Sequence, residues 1–285
     1  MTKDIKIKLK FSTYSKEDLM QMEPGPLRAL LHERTHHRIE VPLYPVLLEA
    51  ESRKISSFGD QAQLVFDVWR ERGFPEDAPD IQWVKQYLDI AKKIRAGEKV
   101  HWEEPISTPF ASEEMEVVNK LIYERRSCRE WIDKEIPDEM IEKILDAGRA
   151  APNGCNLNLV RFIVIKDPAE ANMVWSDIST ENAVIIVICY DERSRQVVGQ
   201  DRSVPQNAGF DAAAAADHML LMAHALGLGG VWLTCTKDTA KSFKEQYGLP
   251  DYIEVALHIA IGWPAIGTKK SLRMPLEDMM IRRNT

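Results

Sequence analysis

The run "AVIIVICYD" at 183–191 limits the possible folds of this chain more than any other stretch. It is dominated by β-branched residues, is too short for an ordinary helix and has no polar face. It therefore predicts a strand buried on both sides. "RFIVIKD" at 161–167 has the same character. Strands of this kind need cover, and the flanking sequence supplies helices. "DEMIEKILDAGRAAP" spaces its apolar residues helically and stops at Pro152, and a long helix is predicted over 211–226, closed by Gly227 as a C-terminal cap. A strand "GGVWLTC", a helix "TAKSFKEQYG" and a strand "VALHIAIGWP" complete the pattern. Helices and strands mix without strict βαβ alternation, so the expected class is α+β and layered rather than doubly wound.

The pattern changes near residue 110. Before it, "QAQLVFDVWRERG" and "WVKQYLDIAKKIRAG" read as helices ending on glycine, and Ser15 with Asp18 predicts a capping box. "EPGP", "VPLYP", "FPEDAP" and "EEPISTP" read as proline-containing separators between helices. Residues 1–110 are expected to form a mainly helical N-terminal extension and 111–285 a second domain. "SEEMEVVNKLIYE" opens that domain as a helix, with Ser112 as N-cap and Met115, Val118, Leu121 and Ile122 on one face. The net charge of −7 argues against a general nucleic-acid or anionic-membrane binder. The four widely spaced cysteines form neither a zinc knuckle nor a disulfide framework, which leaves reduced thiols as the expectation. The N-terminus lacks the apolar core of a signal peptide. The longest apolar run is interrupted by Asp217, His218 and His224, so it reads as a buried soluble helix, not a membrane span. A cytoplasmic protein is expected.

Against this acidic background, "IYERRSCREW" places Arg125, Arg126 and Arg129 within five positions, with Ser127 among them. Guanidinium forks and a hydroxyl suit a phosphate dianion. The same arginines could instead cap the preceding helix and pair with Glu113, Glu114 and Glu124. "AAPNGCNLNLVRF" gathers Asn153, Asn156 and Asn158, whose amides complement an imide edge but also suit an ordinary turn. "HERTH" at 32–36 formally matches HExxH and offers His32, Glu33 and His36 for a zinc hydrolase. Arg34, His37 and Arg38 beside it favour a basic, solvated helix end. "GLGGVW" runs from helix to strand, the wrong way for a dinucleotide loop, and "GWPAIGTKKS" lacks the lysine of a P-loop.

Taken in order, these pieces from 112 to 285 resemble the nitroreductase family of FMN-dependent oxidoreductases. "RRSCREW" is similar to the family's phosphate motif, and "PDEMIEKILDAGRAAPNGCNLNLVRFIVI" to its second helix, amide loop and first core strand. "DAAAAADHMLLMAHALGLGGVWL" looks like its dimer-forming helix and following strand, and "YGLP", "HIAIGWP" and "KKSLRMPLEDMM" like its C-terminal pattern. The resemblance implies a mostly antiparallel central sheet flanked by helices, in an intertwined homodimer with FMN at the interface. It implies that Arg125, Ser127 and Arg129 hold phosphate and ribityl oxygens, with Arg126 near the pyrimidine and Lys270 or Arg273 joining at the phosphate. Pro152, Asn153 and Asn156 would line the isoalloxazine, and Asn158 would keep an amide there. The strand end Leu233, Thr234 and Cys235 would pack on the ring. The implied activity is ping-pong hydride transfer from NAD(P)H to a small organic electrophile, with no catalytic acid or base assigned and no metal. Flavin fragmentation and reductive dehalogenation are alternatives on the same scaffold, and a flavin-based sensor is a further one. Asn153 stands where many members have serine, and Asn158-Leu159-Val160 where they commonly have Gln-Pro-Trp. Flavin binding is expected to survive both departures, since Asn158 keeps an amide and the phosphate set is intact, while they leave open which substrates stack on the exposed flavin face.

Overall fold

The computed structural model describes residues 14–49, 53–167, 180–233 and 235–281. The segment 183–191 is a strand, as its composition requires. β1 (Val160–Ile165), β2 (Val184–Asp191), β3 (Gly229–Leu233) and β4 (Ile253–Gly262) form one antiparallel sheet in the order β1-β2-β4-β3. β2 lies second from one edge and is covered on both faces, which explains its unbroken apolar run. Ile186 and Ile188 pack with Ile259 and Ile261 under α7 (Asp138–Arg149) and the long helix Asn207–Ala225. Ile185, Val187 and Cys189 face the other way, against Ala260, Val231, Trp131 and Phe243.

The N-terminal helices form from the predicted signals. α1 (Lys16–Gln21) opens on a capping box made by Ser15 and Asp18. α2 (Pro24–Thr35), α4 (Asp60–Glu71) and α5 (Pro79–Ala96) follow, with Gly97 in the left-handed conformation closing α5. Two expectations fail here. "VPLYP" is not a separator but α3 (Val41–Leu47), reached from α2 through a π-helical turn, His36–Glu40. Pro42 falls in the first turn of that helix, where a missing N–H costs little. The stretch around HERTH is not solvated either, since His32, Glu33, Arg34 and Thr35 are all buried. Their cover comes from residues distant in sequence. Leu157, Leu159, Val197 and Ala208 share one apolar cluster with Leu27, Leu31, Trp69 and Val84, so the N-terminal helices pack directly on the sheet-bearing half.

α6 (Ser112–Glu124) forms as expected, but Ala111 occupies the N-cap position, and no residue of α6 is buried. Met115 and Ile122, expected on an inward face, are exposed. From α6 the chain runs along the free edge of β3. Ser127 bridges Gly230, and the Cys128 N–H donates to the Gly230 carbonyl at 3.2 Å. Trp131 anchors this segment: its Nε1–H donates to the Gly229 carbonyl at 3.0 Å, and its ring covers Gly262. A Cβ at Gly262 would lie 2.6 Å from Trp131 Cδ1 and 3.0 Å from the Asn182 carbonyl oxygen, so only glycine permits this approach. Gly262→Ala is expected to lower stability by about 1–3 kcal/mol through overpacking. An unchanged urea midpoint for that variant would contradict the close seat of Trp131.

Candidate functional site

The arginine segment follows the C-terminal end of α6 without a regular element of its own. Arg126 turns back on the helix, its Nη1 donating to the carbonyls of Tyr123 at 2.6 Å and Arg125 at 2.8 Å. The capping role considered for all three arginines therefore falls to Arg126. Among the described residues no carboxylate lies within ion-pair distance of Arg125, Arg126 or Arg129, so the pairing with Glu113, Glu114 and Glu124 does not form. Unpaired guanidinium groups beside the Ser127 hydroxyl are a donor set suited to a multiply charged oxyanion. The C-terminal segment returns to the same place: Trp131 bridges Pro264, and the Ala265 N–H donates to the Glu130 carbonyl at 2.9 Å. This brings Lys270 Nζ to 6.0 Å from the centroid of the Tyr123 ring. Arg273 lies farther along the same exposed segment, with no ion pair among the described residues.

The second set, at 152–158, lies elsewhere. Cys155, Asn156 and Asn158 all have positive φ, which asparagine tolerates and cysteine rarely adopts. The amides hold the loop in shape. Asn153 Oδ1 accepts from the Asn158 N–H at 3.0 Å, and Asn158 Nδ2 donates to the Asn156 carbonyl at 3.0 Å and to Asn156 Oδ1 at 3.1 Å. The Gly154 N–H donates to Asp211 Oδ1 at 2.9 Å, tying the loop to the long helix. Leu233 is buried at the end of β3, and Cys235 is half-buried with its thiol pushed up to about 11 by burial. Thr234 lies outside the described residues.

The two sets flank opposite corners of the sheet. Ser127 is level with Gly230, Ile261 and Val184, whereas the loop enters β1 at Val160, level with Tyr190. Across the sheet this is four strand intervals of about 4.8 Å, and along β2 it is six residues, roughly 20 Å.

Sequence reasoning missed what stands over the loop. A cavity of about 960 Å³ lies between the N-terminal helices and residues 148–162, with Trp69, Pro152, Asn153, Asn158, Arg161 and Phe162 in its wall. His32 belongs to this wall. Its Nδ1 lies 3.2 Å from Asn158 Nδ2, which can only donate, so the ring hydrogen is on Nε2 and goes to Asp80 at 2.7 Å. Arg28 binds the same carboxylate through Nε at 2.7 Å and Nη2 at 2.5 Å. Burial alone would raise the Asp80 pKa. The bonds from His32 and Arg28 overcome it and hold the carboxyl well below the usual range. His36 is turned to a different carboxylate, Glu40, at 2.6 Å, so the HExxH histidines do not share a ligand position. Among the described residues no group of three His, Cys, Asp or Glu side chains is placed to hold a metal ion. His37 Nε2 lies 3.0 Å from Cys155 Sγ, but burial pushes this thiol up to about 11 and the imidazole down to about 4. The pair is therefore neutral at pH 7 and not an activated nucleophile. The signal for this wall was Arg28 and His32, one helical turn apart on α2, but their partner Asp80 is 48 residues from His32.

The folded-state pKa of Asp80 is depressed, so its contribution to stability is present above its unfolded value, near 4, and is lost as pH falls through the folded value. Asp80→Asn is expected to cost about 1–3 kcal/mol at pH 7, because it removes the charge and replaces one of the two oxygens that accept from His32 and Arg28 with an amide that can only donate. The gap to the wild type should begin to narrow below about pH 4, where the Asp80 carboxyl of the unfolded chain takes up a proton while the folded one stays ionised, and should close only as pH falls through the folded value. Urea titrations of both proteins at pH 7 and at pH 3 read this directly, and a gap independent of pH would contradict the network.

Among the described residues no helix is long and apolar enough to cross a membrane. The sequence model of the Nitroreductase family matches residues 122–185 and 169–263. A protein of Archaeoglobus fulgidus that carries the names NADH dehydrogenase and NAD(P)H nitroreductase is 34% identical over 158 residues, which is 53% of this chain and 87% of the relative. The NADPH-flavin oxidoreductase of Vibrio harveyi is 26% identical over 54% of this chain and 68% of its own length. A crystal structure from Clostridium acetobutylicum bearing the name NADH oxidase superposes with a TM-score of 0.51 at 29% identity, covering 57% of this chain and 99% of that one. The predicted α+β layering and antiparallel sheet are both present, and the phosphate-type motif, the amide loop and the core strands all lie within the matched residues. The chain belongs to the nitroreductase family.

Proposed function

We propose that this protein is an FMN-dependent oxidoreductase that takes reducing equivalents from NAD(P)H and passes them to a small organic electrophile. The observation that carries this reading is the set of guanidinium groups at 125–129 with no carboxylate to neutralise them, in a chain of net charge −7. A phosphate dianion supplies the missing charge. Arg125, Arg129 and the Ser127 hydroxyl bind that phosphate and the polyol oxygens next to it. Lys270 joins them, and Arg273 lies close along the same segment. Arg126, bonded to the end of α6, fixes the course of the segment and lies on the side toward the pyrimidine. When bound, FMN supplies the chemistry, accepting hydride from the reduced nicotinamide and delivering it to the acceptor.

The chain's own residues position the ring and exclude water. Pro152, Asn153 and Asn156 border one side, and Leu233 and Cys235 pack on the other. The high pKa of the Cys235 thiol keeps it protonated, so no thiolate competes at the ring. Asn158, bonded to Asn156 and His32, serves the loop's shape and holds it against α2.

The site is completed by a second copy of the chain. The arginine segment and the amide loop start from opposite corners of the sheet, farther apart than one FMN extends, so the two sets that meet one flavin come from two protomers. The exposed apolar surface suits this arrangement. α6 buries nothing within its own chain, and Leu272, Met274, Leu276 and Ile281 of the C-terminal segment stand in solvent. The helices α2, α4 and α5 roof the amide loop.

Arg125→Gln and Arg129→Gln are each expected to weaken FMN binding by roughly tenfold or more, the loss of a charge-assisted bond to phosphate. Arg126→Gln is expected to weaken it less. Fluorescence titration of the stripped proteins with FMN measures all three. A protein that is colourless when purified and takes up no FMN would sink the proposal.

A further inference from the structure

The cavity over the amide loop contains a charge that the protein leaves open. Of the arginines in its wall, Arg28 is bound by Asp80 and Arg149 by Asp146. Arg161 has no carboxylate within ion-pair distance among the described residues. Its Nη1 donates only to the carbonyls of Asn158 at 2.8 Å and Val160 at 2.9 Å. Asp191, whose charge reaches Arg161, is already held by Arg193 at 2.7 Å. Arg161 keeps part of its side chain open to solvent, and the atoms around it, with the charges of Arg193 and Arg28, lower its pKa. An accessible guanidinium at the cavity wall, with no carboxylate of its own among the described residues, is placed to take an anionic partner by charge-assisted hydrogen bonds.

The rest of the wall suits an apolar body. Trp69, Leu145, Leu157 and Phe162 line it, and Trp69 is held in place by its Nε1–H donating to the Pro75 carbonyl at 2.9 Å. Two carboxyls also reach the cavity. Glu142 is exposed on α7. Asp211 is buried, with its pKa raised by burial and its Oδ2 lacking a hydrogen-bond partner, so it is one further polar contact for a guest.

We infer that this cavity is the acceptor chamber of the enzyme and that it selects electrophiles with an aromatic body and a carboxylate, the carboxylate docking on Arg161. The inference rests on the reading of residues 152–158 as the ring side of the flavin site, because the same Pro152 and Asn153 border the chamber. It also gives the N-terminal helices a role. α2, α4 and α5 supply the roof, and the Arg28–Asp80–His32–Asn158 chain pins that roof to the loop. Arg161 here is a specificity-determining residue rather than a participant in hydride transfer.

The test uses full-length protein and two probes of nearly equal shape, 4-nitrobenzoate and the neutral 4-nitrobenzyl alcohol, with binding measured by calorimetry. The wild type should bind the acid roughly tenfold or more tightly than the alcohol, the worth of one charge-assisted anchor. Arg161→Gln should remove that preference while leaving affinity for the alcohol unchanged, and Arg161→Lys should keep part of it. Equal affinity of the wild type for the two probes would overturn the inference without any variant. So would a preference that survives in a folded Arg161→Gln protein. Because the readout is binding, a protein that selects the acid through Arg161 yet takes up no FMN would retain the chamber and lose only the redox reading.

Discussion

The sheet order β1-β2-β4-β3 sets the distance between the arginine segment and the amide loop, the two segments to which the proposed function assigns the flavin. β3 offers a free edge, and the arginine segment lies along it because Gly262 lets the Trp131 ring settle against the backbone. β1 offers the other edge, and the amide loop leads into it. The segments cannot exchange these places, since each is held by backbone hydrogen bonds to a particular strand. Under the proposed function one chain presents half of a flavin site at one corner and the complementary half at the diagonal corner, and two-fold pairing of identical chains is the simplest way to join them.

The helical N-terminal residues turn this common core into a more enclosed one. Their apolar cluster continues into Leu157, Leu159 and Ala208, so they rest on the loop and on the long helix. The polar connection is equally specific. Asp80 is shared by Arg28 and His32, and the other nitrogen of His32 receives the Asn158 amide. Of the four only His32 is buried, so removing Asp80 or Asn158 leaves one of its ring nitrogens without a partner, which costs more than the bond itself contributes. Roof and loop should accordingly move as one unit.

Much of this was legible in the sequence where the signal was local. The β-branched run at 183–191, the helical spacing in 61–73 and 138–149, and the capping box at Ser15 each produced the element they specify. The arginine cluster was visible in the sequence with two readings, a phosphate site or a capped and ion-paired helix end, and the structure forms none of the expected pairs with Glu113, Glu114 and Glu124. What failed depended on distant residues. HERTH looked solvated because its neighbours are charged, and nothing local shows that Leu157, Leu159 and Val84 come to cover that region of α2. The apolar residues of α6 looked like a core face, but within this chain Val118 and Leu121 are only partly covered and Met115 and Ile122 are exposed. Arg161 drew no notice in the sequence, since an unpaired cation is defined by carboxylates that are absent from its surroundings in space. In the 150–158 loop the sequence offered amides for a ligand. The fold uses most of their hydrogen bonds to hold three left-handed residues in place.

Native mass spectrometry of the purified full-length protein tests the central claim most directly, because it reads chain number and cofactor number together. The account predicts a species of two chains with two FMN, and stepwise loss of flavin without an intermediate of one chain plus one FMN. A single chain retaining FMN would contradict the two-protomer site, and a dimer that stays free of flavin after incubation with FMN would contradict the cofactor.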